Sequence, residues 1–205
     1  MITLFIDTSS SDVSIAILKD EKIIFQKSET IPNKHSIYTV SFIEEAITKS
    51  NLRPKDINRI MVVNGPGSFT GIRIGVTIAK VYAYLLDIEV IPISSLKMLS
   101  LSCNHDYCLS LIDAHHDNYY IGLYNKNNEE VIEEEFNTKE KVLELIEKYN
   151  PFIISPEPIN NDNIISNKQV LNISNIYSYY KDKESVNYHL LLPKYLKLPQ
   201  ALEKW

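Results

Sequence analysis

Residues 65–75, Gly-Pro-Gly-Ser-Phe-Thr-Gly-Ile-Arg-Ile-Gly, hold four of the chain's five glycines. Backbone N–H groups of a glycine turn that opens into a helix can cradle a phosphate or another anion. The established phosphate spacings are not met. No Lys-Ser or Lys-Thr follows Gly71, and the glycine spacing is one residue too long for a dinucleotide fingerprint. The competing reading is a tight structural turn in which Gly71 and Gly75, four apart on one helical face, let another helix or the sheet come close. A second candidate is Asp7-Thr8-Ser9, where a carboxylate beside hydroxyls can hold a metal-bound water and phosphate oxygens, or form a plain Asx or Ser/Thr turn. Cys103, His105, Cys108, Asp113, His115, His116 and Asp117 are metal-ligand types, but Cys-x-His-x-x-Cys is not a recurrent zinc spacing. His35 precedes a predicted helix and suits either a cap region or a functional role. No Ser-His-Asp or Cys-His grouping has supporting context.

These residues must be positioned by regular elements. Residues 2–6, 13–18 and 22–27 read as three short strands of an antiparallel meander, separated by turn chemistry at 7–12 and 19–21. Residues 35–50 carry Ile37, Val40, Phe42, Ile43, Ala46 and Ile47 as a wide apolar stripe and read as a helix. A buried strand at 60–63, the glycine turn, a helix at 70–86 and a strand at 89–93 follow. The 70–86 helix is apolar on nearly every side and must be covered on two faces, by the fold and by a partner. In the second half, 107–112, 119–124 and 130–136 read as strands, 138–149 as a helix capped by Thr138, and 152–155 as a strand. Residues 170–173 suggest one more strand, and the Asn-rich stretch 160–168 reads as loop. A strand at 107–112 places Cys108 among buried apolar residues. The pattern is α/β, with three antiparallel strands followed by alternating helices and strands, as in a ribonuclease H-like layer. We divide the chain into an N-terminal α/β lobe, 1–102, and a smaller C-terminal lobe with a tail, 103–205.

At 205 residues and 44% hydrophobic content the chain can bury a substantial core. Its 21 Lys and Arg against 26 Asp and Glu, a formal charge of −5, provide no global footprint for nucleic acid. The N-terminal residues lack the basic region and cleavage site of a signal peptide, and no apolar run reaches the ~18 residues that span a bilayer. Two cysteines suit a reducing compartment, and the expectation is a cytoplasmic protein.

Taken in order, residues 6–9 (Ile-Asp-Thr-Ser), His35-Ser36, the string 65–75 followed by Ala79-Lys80, residues 92–96 (Pro-Ile-Ser-Ser-Leu), Asp113-Ala114, and a tail with Pro193-Lys194-Tyr195-Leu196, Ala201 and Lys204-Trp205 resemble the TsaB (YeaZ) family over essentially the whole chain. The resemblance implies two ribonuclease H-like lobes of the actin-like ATPase superfamily, the second abbreviated. It also implies a bacterial subunit of the machinery that forms threonylcarbamoyladenosine on tRNA, paired with the catalytic subunit TsaD and joined by the ATPase TsaE. The catalytic relative carries a His-x-x-x-His metal pair after the strand that follows the glycine-loop helix. Residues 94–100 here contain no His or carboxylate. The family's Asp-Ala-Arg is Asp113-Ala114-His115, which removes a permanent positive charge. Only Gly122 lies in the second half, so a glycine-lined adenosine pocket has no counterpart.

The resulting expectation is a non-catalytic subunit with no cofactor and no metal, meeting tRNA only through the complex. Asp7, Thr8 and Ser9 are a degenerate phosphate hairpin. His35, Tyr38, Phe42, Gly71, Ile72, Gly75 and Val81 are the expected partner interface, which also serves a homodimer when the partner is missing. The alternatives are a nucleotide-binding actin-like ATPase or kinase acting through Asp7, Thr8 and Ser9, and a metallopeptidase-like enzyme.

Overall fold

The computed structural model describes residues 1–31, 34–161 and 163–197. Ala201 and Lys204-Trp205 of the tail motif lie outside them. In chain order the elements are β1 (Ile2–Asp7), β2 (Asp12–Lys19), β3 (Lys22–Thr30), α1 (His35–Lys49), a 3-10 turn (Pro54–Asp56), β4 (Arg59–Gly65), α2 (Phe69–Leu86), β5 (Val90–Ser94), α3 (Ser95–Ser100), β6 (Tyr107–Asp113), β7 (Asn118–Asn125), β8 (Glu130–Thr138), α4 (Lys139–Tyr149), β9 (Phe152–Ser155), β10 (Asn160–Asn161), β11 (Ile164–Ile165), β12 (Asn167–Lys168) and α5 (Ile173–Tyr180). They form two compact units, Met1–Ser95 with Asn172–Pro193, and Leu96–Leu171 with residues 194–197.

The first unit is built on a sheet of order β3-β2-β1-β4-β5. β1 runs antiparallel to β2 and parallel to β4, and β4 runs parallel to β5. Strand alternation sorts the side chains: Leu4 and Ile6 of β1 face the same side as Ile15 and Ile17 of β2 and Ile60 and Val62 of β4, in register. Against that side pack Phe42, Ile43, Ala46 and Ile47 of α1, and Ile72, Val76, Ala79 and Ala83 of α2. The alternate residues Phe5, Ala16, Met61, Val63 and Ile91 are buried too, which explains why these strands read as unbroken apolar runs. Each such Leu, Ile or Val contributes roughly 1.5–3 kcal/mol on leaving water.

The second unit repeats this plan. Its sheet has the order β12-β9-β6-β7-β8, with β6 antiparallel to β7, β7 antiparallel to β8, and β9 parallel to both β6 and β12. Read from β8 it is the first sheet again, with α4 in the place of α1 and Val142 and Leu145 packed on Leu109, Leu111, Ile121 and Leu123. Where the first unit has the 18-residue α2, the second has only the two-residue pair β10-β11, and its last strand is two residues long. The second half is abbreviated at the step that would carry a glycine turn and its helix. Thr138 is the N-cap of α4, yet its hydroxyl makes no cap bond to the backbone; it bonds instead to the Glu140 carboxylate.

Three expectations need correction. Residues 170–173 form no strand; Asn172 instead caps α5 through its Oδ1, which accepts from Asn175 N–H at 3.1 Å, and Ile173, Ile176, Tyr177 and Tyr180 form the buried face. The Asn-rich stretch carries three two-residue strands, paired through backbone groups that composition does not reveal. A single cut at 102/103 gives way to a chain that leaves the first unit after Ser95, returns at Asn172 and leaves again after Pro193. The returning segment is held by hydrogen bonds: Arg59 Nη1 donates to the Lys181 carbonyl (2.8 Å), Asn64 Nδ2 to the Leu192 carbonyl (3.0 Å) and Lys80 Nζ to the His189 carbonyl (3.4 Å).

The same segment closes a sheet edge. Val186 bridges antiparallel to Val90, its N–H donating to the Val90 carbonyl at 2.8 Å and its carbonyl accepting from Val90 N–H at 3.2 Å. This covers an otherwise unpaired stretch of β5. Val186→Pro removes the shorter bond and leaves a buried carbonyl unpaired, so urea denaturation should show a loss of about 1–3 kcal/mol relative to Val186→Ala. Equal stability of the two variants would mean that the segment does not brace the edge.

Candidate functional site

The glycine turn does not face open space. It sits on the β1–β2 turn. A Cβ built on Gly71 would lie 2.0 Å from the Thr8 carbonyl oxygen, one on Gly75 2.5 Å from Thr8 Oγ1, and one on Gly67 2.4 Å from the Ser9 carbonyl oxygen. Gly67 also has φ +153°, a conformation that side chains disfavour. Hydrogen bonds close the contact: Thr8 Oγ1 donates to the Gly71 carbonyl at 2.7 Å, and Ser68 N–H donates to the Ser9 carbonyl at 2.8 Å. Ser68 caps α2 by accepting from Gly71 N–H at 3.2 Å, and Ser95 Oγ donates to the Pro66 carbonyl. The close approach that Gly71 and Gly75 permit is therefore to a turn of the same unit.

Asp7, Thr8 and Ser9 are brought together and are all buried. Asp7 Oδ1 accepts from Ser9 N–H at 2.8 Å, forming an Asx turn, and the Ser9 hydroxyl bonds to the same carboxyl. Burial raises the Asp7 pKa above the ordinary carboxylate value, and the bonds from Ser9 only partly oppose that. The groups that would meet a phosphate are thus engaged within the chain: the Thr8 hydroxyl by Gly71, the Ser9 hydroxyl by Asp7, and the capping N–H of Gly71 by Ser68. His35 completes the cluster from the first residue of α1, its Nε2 lying 3.0 Å from the Ser10 carbonyl oxygen.

The expected interface residues separate into two groups. Phe42, Gly71, Ile72 and Gly75 belong to the interior, packed on the sheet or on Thr8. Tyr38 and Val81 are exposed. Ile37 and Val40, which share the apolar pattern of α1, point outward as well. With Phe69, Tyr84 and Leu85 they leave large apolar side chains in solvent, from 37% exposed for Tyr38 to 72% for Leu85. Between α1 and α2 runs a groove of about 490 Å³ lined by Ser36, Val40, Phe69, Thr70, Arg73, Ile74, Thr77 and Ile78. The Arg73 guanidinium stacks over the Phe69 ring at 3.6 Å and orders it at the rim. Phe69, Tyr84 and Leu85 were not legible as surface residues, because α2 is apolar around its whole circumference and only the seating of Gly71 and Gly75 shows which side is inside. At 18 residues and this composition α2 also has the length and apolarity of a membrane span, contrary to the expectation from the sequence. Its Gly71–Ala83 face packs on the sheet core instead.

In the second unit, Asp113, His115, His116, Asp117 and Tyr119 line a polar pocket of about 470 Å³ with Pro158, Ile159, Asn160 and Asn161. His115, His116 and Asp117 all have positive φ, and Asp113 Oδ1 accepts from His115 N–H at 2.7 Å. Cys103, His105 and Cys108 are not part of it. Among the described residues no three His, Cys, Asp or Glu side chains converge in a way that would hold a metal ion.

Known proteins can be set beside this geometry. The family described as TsaD: tRNA N6-adenosine threonylcarbamoyltransferase matches residues 28–178. A Bacillus subtilis protein, tRNA threonylcarbamoyladenosine biosynthesis protein TsaB, is 30% identical over 100% of this chain and 98% of its own. The protein of the same name from Buchnera aphidicola subsp. Schizaphis graminum is 34% identical over 62% of each chain. The solved structure of YeaZ from Pseudomonas aeruginosa superposes with a TM-score of 0.79 at 21% identity, covering 95% of this chain and 99% of that one.

Two measurements test the geometry of the turn. Gly75→Ala should cost about 1–3 kcal/mol by overpacking against Thr8 Oγ1. Thr8→Ala removes that oxygen, so the double variant should lose less than the sum of the two single losses. Gly71→Ala, which meets backbone, should gain no such relief; a strictly additive Gly75–Thr8 cycle would contradict the packing. The second test concerns Asp7. Because its folded pKa is raised, its contribution is most favourable below the unfolded value of 3.8 and is lost as pH rises through the folded value. The stability of Asp7→Asn minus that of the native chain should therefore increase from pH 4 toward neutrality, and a flat difference would remove the claim.

Proposed function

This chain belongs to the TsaB (YeaZ) family, and from that premise we propose that it serves tRNA threonylcarbamoyladenosine biosynthesis as a non-catalytic subunit. In this reading it docks on the catalytic subunit TsaD and supports its active conformation, TsaE joins the assembled complex, and tRNA is met only through that complex. A pairing of two copies over the same face is the fallback when TsaD is missing.

The observation that carries the reading is the outward face of α1 and α2, with Ile37, Val40, Phe69, Val81, Tyr84 and Leu85 in solvent beside an apolar groove. Contiguous apolar surface of this kind marks an interface, and each side chain covered on docking removes area from water at ~25 cal/mol/Å². Aromatic anchors such as Phe69 and Tyr84 suit the centre of such a contact. The β1–β2 turn supports the reading as a non-enzyme: the Thr8 hydroxyl donates to the Gly71 carbonyl and the Ser9 hydroxyl to the Asp7 carboxyl, so both are engaged within the chain.

The test separates surface from core. Val81→Asp and Leu85→Asp should leave the thermal midpoint within a few degrees of the native value, because both side chains are exposed. The same variants should weaken co-purification with TsaD at least roughly a hundredfold in affinity and reduce tRNA modification in a reconstituted system in parallel. Phe42→Asp, by contrast, should fail to fold. Native binding and modification by both surface variants would overturn the docking face, and heat of ATP binding to the isolated chain would restore the nucleotide-binding alternative.

A further inference from the structure

The chain's only two cysteines lie in the second unit and meet each other. Cys103 follows α3 in a tight turn, its N–H donating to the Ser100 carbonyl at 3.0 Å, and is partly exposed. Cys108 is the second residue of β6, buried in a cluster with Leu96, Leu99, Ile112 and Ile154, and Cys103 packs against that cluster from its rim. At that rim the Cys103 thiol lies against the Cys108 thiol, with the His105 backbone N–H beside it. The Cys108 thiol and the His105 N–H hold the Cys103 thiol below its ordinary pKa, while Cys103 and burial push Cys108 up. The connecting residues 104–107 are exposed, anchored by the His105 ring stacked on Phe152 at 4.3 Å, and beside them opens a cavity of about 330 Å³.

A partly exposed thiol packed on the cluster that holds a second, buried thiol is the arrangement of a reactive and a resolving cysteine. We propose that Cys103 and Cys108 are a redox-modification site at which a peroxide converts the pair to an intramolecular disulfide. In the first step the Cys103 thiolate attacks one oxygen of hydrogen peroxide; an S–O bond forms, the O–O bond breaks, and the departing hydroxide takes up the Cys103 proton as water. In the second, the Cys108 sulfur attacks the Cys103 sulfenic acid; the S–S bond forms, the S–O bond breaks, and the leaving hydroxide takes the Cys108 proton as a second water. Two thiols are oxidised by two electrons in all and one peroxide is reduced to two waters. The partly exposed Cys103, in the turn after α3, is the side that moves to draw the sulfurs to a bond of about 2.05 Å.

The experiment uses the full chain and hydrogen peroxide. After treatment and denaturation, both thiols should resist alkylation, the intact mass should fall by about two hydrogens, and dithiothreitol should restore both sites. In Cys108→Ser a dimedone adduct should accumulate on Cys103, and Cys103→Ser should slow the oxidation of Cys108 by roughly tenfold or more. Cys103 is partly exposed, so Cys103→Ser should keep the native circular dichroism; Cys108→Ala replaces Cys108→Ser if the hydroxyl disturbs the core. Persistence of both alkylatable thiols, direct over-oxidation to sulfinic acid, a disulfide between two molecules, or a dimedone adduct on Cys108 in place of Cys103 would each overturn the proposal.

Discussion

The contact between the glycine turn and Thr8 sets the rest of the first unit. With no side chains at Gly71 and Gly75, the first turns of α2 come down on the β1–β2 turn, and the Thr8 hydroxyl locks them there through the Gly71 carbonyl. That seating fixes the rotation of a helix which is apolar all round. Ile72, Val76, Ala79 and Ala83 must then point to the sheet, and Val81, Tyr84 and Leu85 must point away. A surface that hydrophobicity alone leaves undefined is thus defined by two missing Cβ atoms and one hydrogen bond. The cost is a buried carboxyl, Asp7, held by the Ser9 N–H and hydroxyl so that the turn keeps its shape.

The two sheets share strand order and direction, and the departure between them is confined to one step of the path. After β4 the first unit makes the glycine turn and α2; after β9 the second makes only the β10-β11 pair before a two-residue strand. Among the described residues the long apolar helix α2 therefore belongs to the first unit, as do the glycine turn and the groove between α1 and α2. The second unit keeps an inner polar chain, in which the Tyr124 hydroxyl donates to Glu134 Oε1 at 2.7 Å and Lys194 Nζ to Glu134 Oε2 at 2.6 Å. The Lys97 ammonium lies over the Tyr124 ring at 4.1 Å. Buried charge satisfied in this way favours a specific arrangement over a merely apolar one.

Much of this was legible in the residues. Short β-rich runs marked β1 and β2 and an apolar run marked β4, the glycine string marked the strand-to-helix turn, and the strand read at 107–112 placed Cys108 in the core. What could not be read was direction. Ile37 and Val40 share a helical pattern with Phe42 and Ile43, yet the first two are outside and the last two inside, because the position of α1 over β2 is decided by packing and not by period. Helix α5 was missed for a related reason: its tyrosines and isoleucines have no strong helix preference, and what fixes them is the Asn172 cap and burial in a unit whose strands lie some eighty or more residues upstream. The role of Asp7-Thr8-Ser9 turned on hydrogen-bond partners sixty residues away, which spacing does not encode.

We propose that the catalytic subunit sits on the outward side of α1 and α2. Hydrogen–deuterium exchange of this chain alone and saturated with TsaD measures that directly. Docking there should slow exchange in peptides covering His35–Lys49 and Phe69–Leu86, with residues 113–117 and 160–168 unchanged. Protection centred on the pocket at 113–117, with α1 and α2 exchanging as in the free chain, would contradict it.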